Sequence, residues 1–141
     1  MATIHIPDSF LATKLANLAT NTLKCVLIDI SSYNQATDTT LANLTEVSGT
    51  GYTAGGQTVT SVVVAADTTN HWTTAVITPA VWSGSTTISA TGAAIIDTTD
   101  GNKIIAVSDF GAAVASSGGT YTVGAITIKF TGKAATEVDV W

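Results

Sequence analysis

The sequence predicts an all-β fold: a single-domain β-sandwich, jelly-roll-like, with a short N-terminal helix. Three observations carry this. The chain is 45% hydrophobic and only 11% charged, and its abundant Thr, Val and Ile are β-branched residues that suit a pleated, half-buried surface. Roughly seven or eight short runs of this kind are separated by Gly, Asn, Asp and Pro turn signals, the pattern of a sandwich or barrel. One segment alone shows helical periodicity, and no β-α-β alternation is present. A length of 141 residues fits one domain. Jelly-roll and immunoglobulin-like strand orders share this pattern.

The chain divides into an arm and helix over 1–22 and a sandwich over 23–141. Met1 to Ile6 reads as an extended arm, and Pro7-Asp8-Ser9 is a helix-start signal. Leu11, Leu15 and Leu18 recur at helical spacing within Phe10 to Ala19. So short a helix is marginal alone and must pack on a sheet or a neighbour. Leu23 to Ile30 reads as a buried strand and Ser31 to Gln35 as a loop; Thr39 to Leu44 is one helical turn with Asp38 as N-cap. Gln57 to Ala66 reads as one strand. Thr68-Thr69-Asn70 is a turn, and the strand Thr74 to Thr78 stops at Pro79. Val81-Trp82-Ser83-Gly84 leads into a strand Thr86 to Ala90. Ala93 to Asp97 and Lys103 to Ser108 form a hairpin across the Asp100-Gly101 turn. Gly111 to Gly119 reads as a mobile small-residue loop. In Gly124 to Thr131 the period of two points Ile126, Ile128 and Phe130 inward. Val138 to Trp141 is a last strand or a terminal contact.

Composition also bounds function. The formal net charge is −5 and all five basic residues are lysine. This argues against nucleic acid, which calls for an Arg-rich basic patch, and against an anionic membrane surface. The start lacks a signal-peptide pattern, and no apolar run approaches the roughly 18 residues of a membrane span. Cys25, the single cysteine, lies in an apolar strand and reads as a small buried hydrophobe. His5 and His71 stand apart from Cys25 and from each other, so neither a zinc site nor a nucleophile–base pair forms by spacing. Asp97 to Asn102 has hairpin chemistry, without the alternating oxygen ligands or closing Glu of a calcium loop. The expectation is a protein without catalysis, metal or cofactor. Trp72 and Trp82 read two ways: as core or interface residues, or as a glycan-binding platform. A surface with so little charge is sticky, and we expect part of it to be covered in an assembly.

Glu46-Val47-Ser48-Gly49-Thr50-Gly51-Tyr52-Thr53-Ala54-Gly55-Gly56 organises the rest. Glycine permits positive φ and close backbone approach, so this is a shaped loop. It lacks the Lys-Ser/Thr and following helix of a phosphate-binding loop. Either the loop seats Tyr52 on the protein's own core, or it presents Tyr52 as a contact.

With Leu23 to Leu27, Ser31-Ser32-Tyr33, Val81-Trp82-Ser83 and Ile104 to Gly111 in this order, the Glu46 to Gly56 stretch resembles a family of small structural proteins of tailed bacteriophages. The likeness spans roughly Leu23 to Phe130 and is most distinctive in Glu-Val-Ser-Gly-Thr-Gly-Tyr. It implies a virion component without catalysis, made in the host cytoplasm. The expected role is a capsid decoration or cement protein that self-associates as a dimer or trimer and binds the outer surface of the major capsid protein shell. The interface residues expected are Ile4, Ile6, Phe10, Tyr52 and Trp141. The alternative is a head fibre, tail or receptor-facing module that holds glycan on Trp72 and Trp82.

Overall fold

A strand covered on one face alternates apolar and polar residues, whereas a strand covered on both is apolar throughout. Cys25-Val26-Leu27-Ile28 and Ala93-Ala94-Ile95-Ile96 are of the second kind, and they lie at the centre of the fold. A computed structural model describes residues 7–131. Its elements are α1 (Asp8–Thr20), β1 (Leu23–Ile28), β2 (Gln57–Thr58), β3 (Ser61–Asp67), β4 (Trp72–Thr78), β5 (Trp82–Thr86), β6 (Ser89–Asp97), β7 (Lys103–Ala115), β8 (Gly119–Tyr121) and β9 (Ile126–Thr131). The strands pair antiparallel in the orders β2-β1-β6-β7, β3-β4-β9 and β5-β8. This is the all-β single domain with one N-terminal helix that the sequence predicts. A jelly roll has eight strands in two sheets; the described strands form sheets of four, three and two.

β1 and β6 pair without a break from Leu23↔Asp97 to Ile28↔Gly92. Alternate side chains then go to opposite faces. Leu23, Cys25, Leu27, Ala93 and Ile95 pack with Ile77, Trp82, Ile88 and Tyr121 in the main core, joined by Val62, Ile126 and Ile128 from the three-stranded sheet. Val26, Ile28, Ala94 and Ile96 form a second cluster on the other face, roofed by Ile30, Leu41 and Leu44 from the long connection between β1 and β2. That connection has two 3₁₀ turns, Ile30–Ser32 and Leu41–Asn43, the second capped by Thr40. Asp38, expected as the cap, instead accepts from the Asn34 amide at 2.8 Å, because its carboxylate closes the preceding turn.

Helix α1 packs on β3 and β4. Leu15 is buried and Leu18 packs on the main core, as the helical spacing requires. Thr73, Ala75 and Ile77 are fully buried, whereas Val63 is 57% exposed. The helix therefore covers the Thr73 side of this sheet and leaves the Val63 side open.

Four further expectations are corrected. Gln57 to Ala66 is two strands: β2 pairs with β1 and β3 pairs with β4. Between them the Val59 amide donates to Leu23 and the Thr60 amide to Thr78, so the chain changes sheets within two residues, which a period-2 pattern does not register. Gly111 to Gly119 is not a loop: Val114 and Ala115 pair with Ala90 and Ser89, and Gly119 opens β8. Small residues there suit a strand that bulges between Asp109 and Val114. Phe130 lies in register with Thr73 but is 41% exposed, because the core packing reaches only Ile126 and Ile128 of β9. The strand expected at Thr86 to Ala90 is split between β5 and β6. Ile4, Ile6 and the segment Val138 to Trp141 lie outside the described residues.

Gly56 has φ +66°, and a Cβ there would overlap the carbonyl of Cys25 in β1. Gly55 has φ +89° with open space around its Cα. Gly55→Ala is expected to lose about 1 kcal/mol from backbone conformation alone. Gly56→Ala is expected to lose clearly more, since the central strand must also move. Urea denaturation of the two variants measures the difference.

Candidate functional site

The glycine-rich stretch completes the edge of β1. Beyond its two pairs with β2, β1 has no regular neighbour on that side, and a buried amide without a partner is costly. The Leu27 amide donates to the Tyr52 hydroxyl at 3.2 Å, and that hydroxyl donates to Glu46 Oε2 at 2.6 Å. The same carboxylate oxygen accepts from the Gly55 amide at 2.8 Å. The Val47 amide donates to the Leu27 carbonyl at 3.0 Å and the Asp29 amide to the Thr45 carbonyl at 2.9 Å. A phenol thus stands where a neighbouring strand would supply a carbonyl. Gly49 passes against the Thr87 carbonyl, Gly51 against Thr86 and Gly56 against Cys25, so the loop lies flush on the sheets. Burial and the Glu46 hydrogen bond push the Tyr52 pKa up.

Tyr52 is therefore an internal clasp, half-buried against the main core. Its ring lies 5.9 Å from that of Trp82, which in turn meets Tyr121 edge-on at 6.2 Å. Trp82 is 1% exposed, so it offers no face to a sugar. Trp72 is half-buried at the start of β4, and its ring is covered by Lys129 Nζ at 3.2 Å from the centroid. The two tryptophans do not form a shared platform. The sequence pattern assigns Glu46 a place in the glycine-rich stretch but no chemical role. Its signal is a carboxylate six residues before a lone Tyr within a glycine-rich loop, a pair that meets only once the loop is closed.

The remaining candidates are spread out. His71 is exposed in the turn between β3 and β4 with φ 56°. Asp97, 3% exposed, accepts from the Thr99 and Asp100 amides and from Asn21 Nδ2 at 2.6 Å. Its oxygens thus close the β6–β7 turn and tie it to the end of α1, which is hairpin chemistry. Cys25 is fully buried, and desolvation pushes its pKa up to about 12. Among the described residues no group of three or more His, Cys, Asp or Glu is placed to hold a metal ion, and no helix is long and apolar enough to cross a membrane. Phe10 is 52% exposed on α1, with Lys14 Nζ 5.2 Å from its ring.

One concavity was not foreseen. A groove of ≈ 550 Å³ runs between β7 and the β1–β2 connection, lined by Ile30, Tyr33, Gln35, Ile105, Val107 and Asp109. It continues past Asp38 and Thr40 toward Lys103. Lys103 is held by Asp100 at 2.8 Å. The groove is apolar on the strand side and polar at its rim, and it lies along the edge of the four-stranded sheet. No protein-family model, curated protein or solved structure matches this chain.

Tyr52→Phe is expected to destabilise the fold by about 1–3 kcal/mol, because it strands the Leu27 amide and leaves Glu46 Oε2 with the Gly55 amide alone. Guanidinium unfolding measures this, and an unchanged midpoint would remove the clasp. The Cys25 and Tyr52 pKa values both lie above their ordinary ones, 9.0 and 10.0, in the folded chain. The protonated groups therefore contribute stability that is complete below pH 9.0 and is lost as pH rises toward 12. Urea midpoints should fall over that window, and Cys25→Ala should flatten the fall.

Proposed function

We propose that this protein is a structural component of a bacteriophage virion, a decoration or cement protein that adheres to the outer surface of the capsid shell and to its own copies and has no reacting centre. The observation that carries the reading is a weakly charged exterior with apolar side chains left open on several elements. Phe10, Val63, Val81, Val114 and Phe130 are 41–57% exposed, on a chain that is only 11% charged. Scattered exposed hydrophobes are ordinary in any protein. On a surface with so few charges to oppose association, they favour many shallow contacts. Copies arrayed on a shell multiply weak contacts by avidity. The resemblance of the Glu46 to Gly56 stretch to small phage structural proteins points the same way, with the stretch acting as scaffold and the exposed apolar residues as contacts. A jelly-roll-like sandwich, dimeric or trimeric on the shell, is the finer form of the proposal. The glycan-holding alternative loses its motivating feature with Trp82 in the core.

The test is position and copy number. Purified particles carrying this chain should contain it in proportion to the major capsid protein, and antibody labelling should decorate the whole head. Val63→Glu with Phe130→Glu should lower occupancy on the shell while the isolated chain keeps its melting temperature. Labelling confined to a tail or a single vertex, or full occupancy by the double variant, would overturn this assignment.

A further inference from the structure

We propose that the groove along β7 receives, as an added β-strand, the segment Ala2 to Ile6 of a second copy of this chain. This rests on the self-association in the reading above, but not on the virion.

The receiving side is an incomplete sheet edge. β7 is the last strand of its sheet. Thr39 to Leu41 runs beside its first residues: the Leu41 amide donates to Asn102 and the Ile104 amide to Thr39, at 3.0 and 2.9 Å. The ladder then stops. From Ile105 to Asp109 no backbone bond beyond those to β6 is found among the described residues. An open, apolar strand edge is a template for another extended chain. Here the edge opens into a groove walled by Tyr33 and Gln35, with Ile105 and Val107 along it. The groove is the space left where the β1–β2 connection pairs with the start of β7 and then turns away.

The occupant follows from pattern, length and charge. A strand added at an edge sends alternate side chains to opposite faces. Ala2-Thr3-Ile4-His5-Ile6 has that alternation, with Ala2, Ile4 and Ile6 on one side. Pro7 comes next and cannot donate to a ladder, so it ends the pairing. Five residues span about 17 Å as a strand; β7 bulges at Ile105, between the pairs Ile96↔Ile104 and Ile95↔Ala106, and its regular edge from Ala106 to Asp109 takes up all but one residue of that length. The groove holds the carboxylates Asp38 and Asp109, while the charge of Lys103 is already met by Asp100. Ala2 to Ile6 has no acidic residue and carries His5, in a chain of net charge −5. The other terminal segment carries Glu137 and Asp139 against the one lysine, Lys133, and its last five residues hold only the two carboxylates, which those of the groove would repel. The segment joins α1 through Pro7 alone, and α1 packs on β3 and β4, in the three-stranded sheet and not in that of β7. A second copy, not the same chain, supplies the strand. Such a contact uses different surfaces on the two copies and closes as a reciprocal dimer or a small ring.

The experiment compares the full chain, the chain lacking residues 1–6, and Gln35→Trp, which fills the groove from an exposed loop position. Sedimentation equilibrium should give an oligomer for the full chain and a monomer for the other two, with equal melting temperatures for all three. A synthetic peptide of residues 1–7 should bind the truncated chain and shift the amide resonances of 105–109, and Gln35→Trp in that background should abolish this. If the truncated chain keeps the oligomeric mass, or the peptide shifts resonances elsewhere, the segment is not the occupant and self-association stands without it. A monomeric full chain with a truncated form that still binds the peptide means the strand comes from the same molecule, which overturns the exchange. A monomeric full chain and no peptide binding overturns both the inference and the self-association it rests on.

Discussion

The fold depends on one constraint: β1 and β6 are apolar on both faces, so neither face can be left to water. Their pairing is continuous, and their alternate side chains divide into two clusters. Everything else is arranged to supply two covers. On one side lie the three-stranded sheet, the β5–β8 ribbon with its aromatic residues, and Leu18 of α1. On the other lies a connection with only short 3₁₀ turns of its own, which roofs the sheet with Ile30, Leu41 and Leu44. Burying a side chain such as Leu or Ile contributes about 1.5–3 kcal/mol. The irregular roof is therefore an energetic part of the fold even though it adds no strand.

The second requirement is satisfaction of the β1 edge. A sheet that ends in the interior leaves amides and carbonyls in need of partners. Two residues of β2, the bridge at Glu46 and the Tyr52 hydroxyl share that work. The glycines are explained by this geometry: three of them pass so close to neighbouring chain that a Cβ would collide. A stretch that looks like a presented loop in one dimension is a seal in three. The exposed apolar side chains lie elsewhere, at Phe10 of α1, Val63 of β3, Val114 of β7 and Phe130 of β9.

Legibility followed the range of the interactions. The helix, β1, the Asp100-Gly101 hairpin and the alternation in β9 rest on neighbours a few residues apart, and their periodicity or turn chemistry shows in the string. The buried state of Cys25 was legible for the same reason, since its neighbours in the strand are apolar. The sheet change at Val59-Thr60 was not legible, because both halves are equally good strand sequence and the choice of partner is made by residues far along the chain. Nor was the strand character of Val114 and Ala115, where small residues that usually signal a loop are held by Ala90 and Ser89. The candidate sites divide in the same way. Phe10 is on the surface as helical spacing implies. Tyr52 and Trp82 were ambiguous because an aromatic side chain suits a core and an interface equally well.

By itself the sequence determined an all-β domain, one amphipathic helix, a buried thiol, and a sparsely charged chain of net charge −5. These follow from residue type, local spacing and total charge, which need no knowledge of the path of the chain. The tertiary structure alone decided that Tyr52 and Trp82 face inward, that Glu46 serves the edge of β1, and that β7 keeps an open edge beside a groove. Each of these depends on which distant segment runs alongside, and that is set by the joint burial of both faces of β1 and β6.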